Sequence, residues 1–162
     1  MHVIAGKYKR RKLVFSKDPK CRPTKQVVKE AFFNIIQTRI EGSSFLDLCC
    51  GVGAIGIEAV SRGASRVVCV DQDTQFLTRN LAWVEESVEA ISLKVDVFLR
   101  SCQSKFDIIY FDPPWDDHDL YLGTLKAIFE FDILNEEGVL ICEHRGSEKV
   151  YDGLNLENLH HS

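Results

Sequence analysis

Short, predominantly apolar runs recur along the chain, and stretches with helical spacing separate them. The runs cover 45–49, 66–70, 106–111 and 139–143, with a weaker one at 91–95. Helix periodicity covers 54–62, 74–86 and 120–131, and a short helical stretch reaches Cys102. Gly63 stops the first of these helices, and the turn Asn135-Glu136-Glu137-Gly138 sets up the last strand. A strand reads as a continuous apolar run when both of its faces are buried. Parallel pairing with helices on both sides achieves that. The pattern therefore predicts an α/β fold, an open doubly wound parallel sheet. In such sheets a ligand sits beyond the carboxyl ends of the strands, where the strand order reverses.

The N-terminal end follows a different pattern. Residues 2–5 and 12–15 are strand-like pieces around Gly6-Lys7-Tyr8-Lys9-Arg10-Arg11, which reads as a basic β-hairpin. A loop over 16–23 leads into Arg22-Pro23-Thr24, and Thr24 is a helix cap. The helix after it is expected to run to Ile40, with Val27, Val28, Ala31, Phe32, Ile35 and Ile36 on one stripe. Residues 1–30 hold ten Lys/Arg and only Asp18 and Glu30 as acids. That end carries +8, and the rest of the chain −12, of a net −4. A basic arm on an acidic body points to a polyanion partner with a defined docking face. Lys7, Lys9, Arg10, Arg11 and Lys12 are then candidate phosphate contacts. A solvated charged face is the plainer reading of any charge run; the motifs further along the chain favour the functional one.

At 162 residues the chain suits one domain over 1–162, with the hairpin and loop over 1–23 ahead of a core over 24–162. No apolar run approaches the roughly 18 residues of a membrane helix, and no apolar signal segment opens the chain. A cytoplasmic protein without a membrane partner is expected, and a monomer. None of the six cysteines forms a C-x-x-C pair, and the five histidines are scattered, so neither a metal site nor a disulfide framework is expected.

The first chemical motif is Phe45-Leu46-Asp47-Leu48-Cys49-Cys50-Gly51-Val52-Gly53-Ala54-Ile55-Gly56. Gly51, Gly53 and Gly56 match G-x-G-x-x-G between a strand and a helix, where the backbone approaches a ligand closely. Alone this is a weak signal. Asp71, twenty residues after Gly51, ends the next strand, where a carboxylate accepts from ribose hydroxyls. Nicotinamide-binding domains share that much. Asp47, four residues before Gly51, sets this chain apart. A carboxylate there suits a ligand with an ammonium group and disfavours a pyrophosphate. S-adenosylmethionine is cationic at its amine and at its sulfonium. The competing reading of Asp47 is a carboxylate that only ties the loop amides together, and the two roles are compatible. Asp96, at the end of the third strand, suits an adenine amino group or the cap of the next helix.

The second motif is Phe106-Asp107-Ile108-Ile109-Tyr110-Phe111 running into Asp112-Pro113-Pro114-Trp115. Prolines donate no N–H and hold φ near −65°, so the corner is rigid. The Asp112 carboxylate and the Pro113 carbonyl can grip a flat NH₂ group, and Trp115 offers a face for stacking a base. Two acceptors on an exocyclic amine localise its lone pair, which otherwise conjugates into the ring, toward an electrophilic methyl. A stacked base has to be flipped out to reach such a pocket. The bland reading is a strand-ending turn with an exposed Trp. The glycine motif in register two strands earlier argues against it.

These residues carry a resemblance to the RsmD family of 16S rRNA guanine-N2 methyltransferases. Its motifs match Ile4-Ala5-Gly6-Lys7-Tyr8-Lys9, Arg22-Pro23-Thr24, and Val28-Lys29-Glu30-Ala31-Phe32-Phe33-Asn34-Ile35. They also match Leu46-Asp47-Leu48, Gly51 through Ala59, Ser61-Arg62-Gly63-Ala64, Phe111-Asp112-Pro113-Pro114, and Gly138 through His144. The resemblance implies a class I, Rossmann-like methyltransferase fold. It implies S-adenosylmethionine as donor, S-adenosylhomocysteine as product, and guanine 966 of 16S rRNA, free or in a small-subunit assembly particle, as acceptor. It carries cofactor contacts to Asp47, Gly51, Gly53, Asp71 and Asp96, base binding to Asp112, Pro113, Pro114 and Trp115, and rRNA docking to the hairpin. Arg22 and Thr24 fall in a loop that closes over the cofactor in this reading. The chain departs from the family at Arg10 (usually Gly), Cys49 (usually Phe) and Trp115 (usually Tyr). Residues 150–162 carry few strand signals, so the final β-hairpin of the family is expected to be incomplete.

Other readings use the same residues. DNA adenine-N6 methylation also uses Asp-Pro-Pro with an aromatic, but here no separate target-recognition domain accompanies it. A non-catalytic RNA-binding or assembly factor would keep the fold without needing Asp47, Asp71 and Asp112 together. A nicotinamide-dependent oxidoreductase would bring a substrate domain or a proton-relay pair.

Overall fold

The structure, a computed structural model, describes residues 1–15, 26–114 and 117–144. The expected Thr24 cap and Arg22 loop, Trp115, and the C-terminal segment where the final hairpin was in question lie outside these residues. The elements alternate: α1 (Gln26–Ile35), β1 (Ser44–Leu48), α2 (Ala54–Ser61), β2 (Arg66–Asp71), α3 (Gln75–Leu81), β3 (Val88–Ser92), α4 (Val95–Ser101), β4 (Phe106–Phe111), α5 (His118–Glu130) and β5 (Leu134–Cys142).

Among the described residues the strands form one parallel sheet in the order β3-β2-β1-β4-β5. The chain steps outward from β1 to β3, then returns to place β4 on the other side of β1. The order reverses between β1 and β4, so their carboxyl ends flank the crevice. The doubly wound α/β sheet expected from the sequence is the one observed.

Successive residues of a strand point to opposite faces, and the two cores divide accordingly. Leu46, Leu48, Val68, Val70, Phe106, Ile109 and Phe111 pack against Val95, Phe98 and Leu99 of α4 and Tyr121, Leu125 and Ile128 of α5. Phe45, Val67, Cys69, Ile108 and Tyr110 pack on the other face, against Phe32 and Phe33 of α1, Ile55 and Ala59 of α2, and Leu77 of α3. Central strands buried on both faces are what produced the predominantly apolar runs.

Several boundaries differ from the sequence reading. β3 lies at 88–92 rather than 91–95, pairing Val67↔Val88 through Asp71↔Ser92. It is the edge of the sheet, so its residues are half-buried or exposed and leave no continuous apolar run. Val95 belongs instead to α4, where Val95, Phe98 and Leu99 form a helical stripe. β5 begins at Leu134, and its register against β4 slips between Phe106 and Ile108. The Asn135–Gly138 turn signal thus marks a bulge inside the strand, pinned by Asn135 Nδ2 donating to Asp107 Oδ1 at 2.7 Å. α3 stops at Leu81 because the chain then turns, and Leu81, Trp83 and Val84 pack under the N-terminal segment.

The α1 stripe is also corrected. The helix ends at Ile35, and its buried positions are Lys29, Phe32 and Phe33, followed by Ile36 in the next turn. Val27, Val28, Ala31 and Ile35 face outward. A lysine takes the buried place because a carboxylate waits for it. Lys29 Nζ lies 3.0 Å from Glu58 Oε2 of α2, and both side chains are fully buried. Glu58 also accepts from the Ile4 and Ala5 amides at 2.8 and 2.9 Å and from Arg62 Nε at 2.8 Å.

That carboxylate holds the N-terminal hairpin to the core. The hairpin is present as one antiparallel bridge, His2↔Lys12, rather than two regular strands among the described residues. Val3 N–H donates to Arg11 O at 2.9 Å, and Arg10 N–H to Val3 O at 2.9 Å. Arg10 adopts φ 73°, so it takes a left-handed conformation that a glycine adopts at less cost. Val3, Tyr8 and Leu13 bury against Ala54 and Ile57. At Gly6, with φ 78°, an added Cβ would come within 1.7 Å of Ser61 O, so only glycine lets the hairpin approach α2 this closely.

Candidate active site

The glycine turn follows β1. Asp47 is buried on the α1–α3 face, and its Oδ2 accepts the Gly56 N–H at 2.9 Å. The loop-tying role weighed for Asp47 therefore exists. Burial pushes its carboxyl well above the usual carboxylate range; the Gly56 N–H opposes this, and the charges of Asp112 and Asp71 add to it. Asp71 ends β2, and its Oδ2 accepts the Gly51 N–H at 2.8 Å. Gly53 has φ 79° and caps α2; a Cβ there would lie 2.4 Å from Leu77 Cδ1. Gly51 faces open space on the side where a Cβ would project.

Cys49 takes φ 61°, an uncommon conformation for a residue other than glycine. Burial pushes its thiol up to about 12, with the Asp71 and Asp47 charges adding. Cys50 is raised too, first by its hydrogen bond with Cys69 and then by burial. Both stay protonated near neutrality, which makes them poor nucleophiles.

The Asp-Pro-Pro corner sits beside this turn. Leu48 and Phe111 are register partners on β1 and β4, and the Asp112 N–H donates to Leu48 O at 3.4 Å. Pro113 is buried and Pro114 exposed. The Pro114 carbonyl accepts the Asp117 N–H at 3.1 Å, and Asp117 Oδ1 caps α5 through Leu120 N–H at 2.9 Å. The corner is thus braced from both sides, by β1 and by α5.

Asp96 lies elsewhere than expected. It is the second residue of α4, exposed, and Lys94 holds the N-cap position. It is therefore neither at the strand end nor the cap. Asp47, Asp71 and Asp112 come together; no described hydrogen bond joins Asp96 to them.

The hairpin cations divide into two groups. Lys7 Nζ is held by Glu85 at 2.7 Å and Glu86 at 2.8 Å, and those hydrogen bonds raise its pKa. Arg11 lies 5.6 Å over the Trp83 ring, which also meets Tyr8 edge-on at 5.3 Å. Lys9, Arg10, Arg11 and Lys12 are exposed. A shallow open groove runs along Lys7, Tyr8, Lys9, Arg10, Arg11 and Glu85.

Two arrangements escaped the sequence reading. One is the Lys29–Glu58–Arg62 cluster; its signal was an acid in the apolar stretch Ile55-Gly56-Ile57-Glu58-Ala59-Val60. The other is a hydrogen bond from the Tyr110 hydroxyl to Glu143 Oε1 at the end of β5. Its partners are 33 residues apart, and nothing local signals it.

A family model described as conserved hypothetical protein 95 matches residues 1–161. YlbH of Bacillus subtilis is 34% identical over 152 residues, spanning 89% of this chain and 82% of that protein. The ribosomal RNA small subunit methyltransferase D of Haemophilus influenzae is 31% identical over 152 residues, spanning 89% and 72%. Among solved structures, yhhF of Escherichia coli superposes with a TM-score of 0.81 at 28% identity, covering 89% of this chain and 80% of that one.

Proposed function

We propose a function on one established premise: this chain belongs to the RsmD family, described as conserved hypothetical protein 95. Its fold is the class I, Rossmann-like methyltransferase fold, and the chain is a methyltransferase. We infer that the donor is S-adenosylmethionine and that the acceptor is the exocyclic N2 of a guanine in 16S rRNA, free or in a small-subunit assembly particle.

The observation that carries this reading is the adjacency of Asp112 to the glycine turn, through Asp112 N–H and Leu48 O. It places an acid-proline-proline corner against the Asp47–Asp71 crevice. The donor set fits the proposed group. Three carboxylates converge on a turn whose backbone at Gly51 borders open space. Such a site favours a cation and repels a pyrophosphate. S-adenosylmethionine, when bound, supplies a methyl group on a positively charged sulfur, an electrophile that needs no metal or covalent help from the protein.

The chain's own residues do the rest. Asp47 holds an ammonium group, and Asp71 accepts from ribose hydroxyls. Gly51 and Gly53 allow close backbone approach. Asp96, in the first turn of α4, is left for the adenine amino group. The Asp112 carboxylate and Pro113 carbonyl accept the two N–H bonds of the guanine amine. That grip turns the nitrogen lone pair out of conjugation, and positioning supplies much of the acceleration. The displaced proton passes to Asp112 or to water. Trp115 stacks on the base, and Lys9, Arg10, Arg11 and Lys12 contact phosphates of the rRNA.

Incubation with tritiated S-adenosylmethionine and unmethylated small subunits, naked 16S rRNA or DNA tests the reading. Label in rRNA, recovered as N2-methylguanine after digestion, is the expected result. Label in DNA alone, or cofactor binding without transfer to any of the three, overturns it.

A further inference from the structure

Asp112 has a second carboxylate beside it. The Glu143 N–H donates to Phe111 O at 3.0 Å, and Phe111 pairs with Cys142. Glu143 therefore follows β5 where Asp112 follows β4, on strands about 4.8 Å apart. Tyr110 and Ile141 lie on the α1 face of the sheet. By alternation, Asp112 and Glu143 continue that face, which is also the face of Asp47. Tyr110 is buried, its ring 4.8 Å from that of Phe32, and its hydroxyl donates to Glu143 Oε1. The phenol is locked by packing, and it locks one carboxylate oxygen in turn.

We propose that Glu143 is the base-selecting residue of this site: its carboxylate, held through Oε1 by Tyr110, accepts the N1–H of the target guanine through Oε2 while Asp112 takes the amino group. The inference rests on the methyltransferase reading above and adds to it a residue that chooses the base. An acid-proline-proline corner grips any exocyclic amine and does not choose between adenine and guanine. The edge beside the amine differs. Guanine presents N1–H next to its 2-amino group, two donors in a row. Adenine presents a bare N1 next to its 6-amino group. Two carboxylates on neighbouring strands complement the first edge. Opposite adenine, the second carboxylate would face a lone pair, lose its solvent and gain no partner. A site built to hydrogen-bond a donor rejects the analogue that lacks it more strongly than an apolar pocket rejects a change of shape.

The test compares RNA hairpins carrying guanine or 2-aminopurine at the methylated position. 2-Aminopurine keeps the 2-amino group but has a bare N1, and its fluorescence reports binding independently of transfer. Wild-type protein is expected to prefer guanine by about 10–100-fold in kcat/KM. Glu143→Gln offers an amide that can donate to a bare N1. It should slow transfer to guanine, tighten binding of the 2-aminopurine hairpin, and shrink the preference by about tenfold. Tyr110→Phe releases the carboxylate without removing its charge and should erode the preference by a smaller factor; it decides the matter if Glu143→Gln loses cofactor binding. An unchanged guanine preference in these variants, with wild-type active on guanine, overturns the role of Glu143 and leaves the methyltransferase reading standing. Failure of wild-type to label guanine in the hairpin, in naked 16S rRNA and in small subunits alike overturns both.

Discussion

Lys29 Nζ of α1 lies 3.0 Å from Glu58 Oε2 of α2, and solvent reaches neither side chain. Lys29 Nζ also donates to the His2 carbonyl at 2.9 Å. Glu58 gathers Arg62 and the Ile4 and Ala5 amides around the same carboxylate. One buried charge thus joins α1, α2 and the basic hairpin, and Glu58 holds the hairpin on α2 together with Ser61, which accepts the Lys7 and Tyr8 N–H groups.

Removing one partner of a buried pair leaves the other uncompensated, at a cost of about 3–5 kcal/mol. Lys29→Met and Glu58→Gln are each expected to lower the urea midpoint by a corresponding amount, with loss of hydrogen-exchange protection first in residues 1–15. Burial alone would raise the Glu58 carboxyl, but the Ile4 N–H, Lys29 and Arg62 outweigh it and hold it below its ordinary 4.5. A depressed carboxylate stabilises the fold above its unfolded pKa, and the contribution is lost as pH falls through the folded value. Wild-type should lose stability below pH 4.5, and Glu58→Gln should lose less over the same range. Parallel pH–stability curves for the two proteins would remove Glu58 from this account.

Asp47 shifts in the opposite direction, and its sign reverses the consequence. Burial favours its protonated form, and a bound cation favours the ionised one. Cofactor binding should therefore release a proton, and affinity should rise with pH until Asp47 is ionised in the free protein. Titration calorimetry in two buffers of different ionisation enthalpy measures this directly. Asp47→Asn should weaken S-adenosylmethionine binding by about tenfold or more and abolish the proton release. Release that persists in the variant would locate the titrating group elsewhere.

What the sequence made legible follows burial on both faces. β1, β2 and β4 read as apolar runs because helices cover them on each side, and Asp47, Asp71 and Asp112 sit where those strands end. β3 is an edge strand and β5 carries a bulge, so their patterns mislead by several residues. The face of α1 was misjudged because hydrophobicity alone assigns Val27 and Ile35 to the core. The buried place belongs to Lys29, chosen by a carboxylate 29 positions away. Lys7 reads as a free cation until Glu85 and Glu86 are seen beside it. Local pattern reports burial; it does not report which distant charge a side chain meets.

Asp112→Ala removes one of the two acceptors proposed to grip the amine, while Asp47 and Asp71 remain. Methyl transfer should fall by about a hundredfold or more, and the cofactor Kd should stay within a few-fold. Asp112→Asn keeps an acceptor oxygen in place and should retain more activity than the alanine variant. Equal activity in wild-type and Asp112→Ala would contradict the grip.

The hairpin cations should separate under charge reversal, because the structure gives them different partners. Lys9, Arg10 and Arg11 are exposed, whereas Lys7 is held between Glu85 and Glu86. Reversing Lys9, Arg10 and Arg11 to Glu should weaken rRNA binding at low salt. It should also make the log–log salt slope shallower by about 2–3, as fewer phosphate counterions are released. Lys7→Glu should act differently. It sets three carboxylates against one another and should loosen the hairpin from residues 83–86, seen as faster hydrogen exchange there, with a salt slope close to that of wild-type. An equal change of salt slope for Lys7→Glu and for a single reversal at Lys9 would mean that Lys7 leaves its ion pairs to meet the RNA.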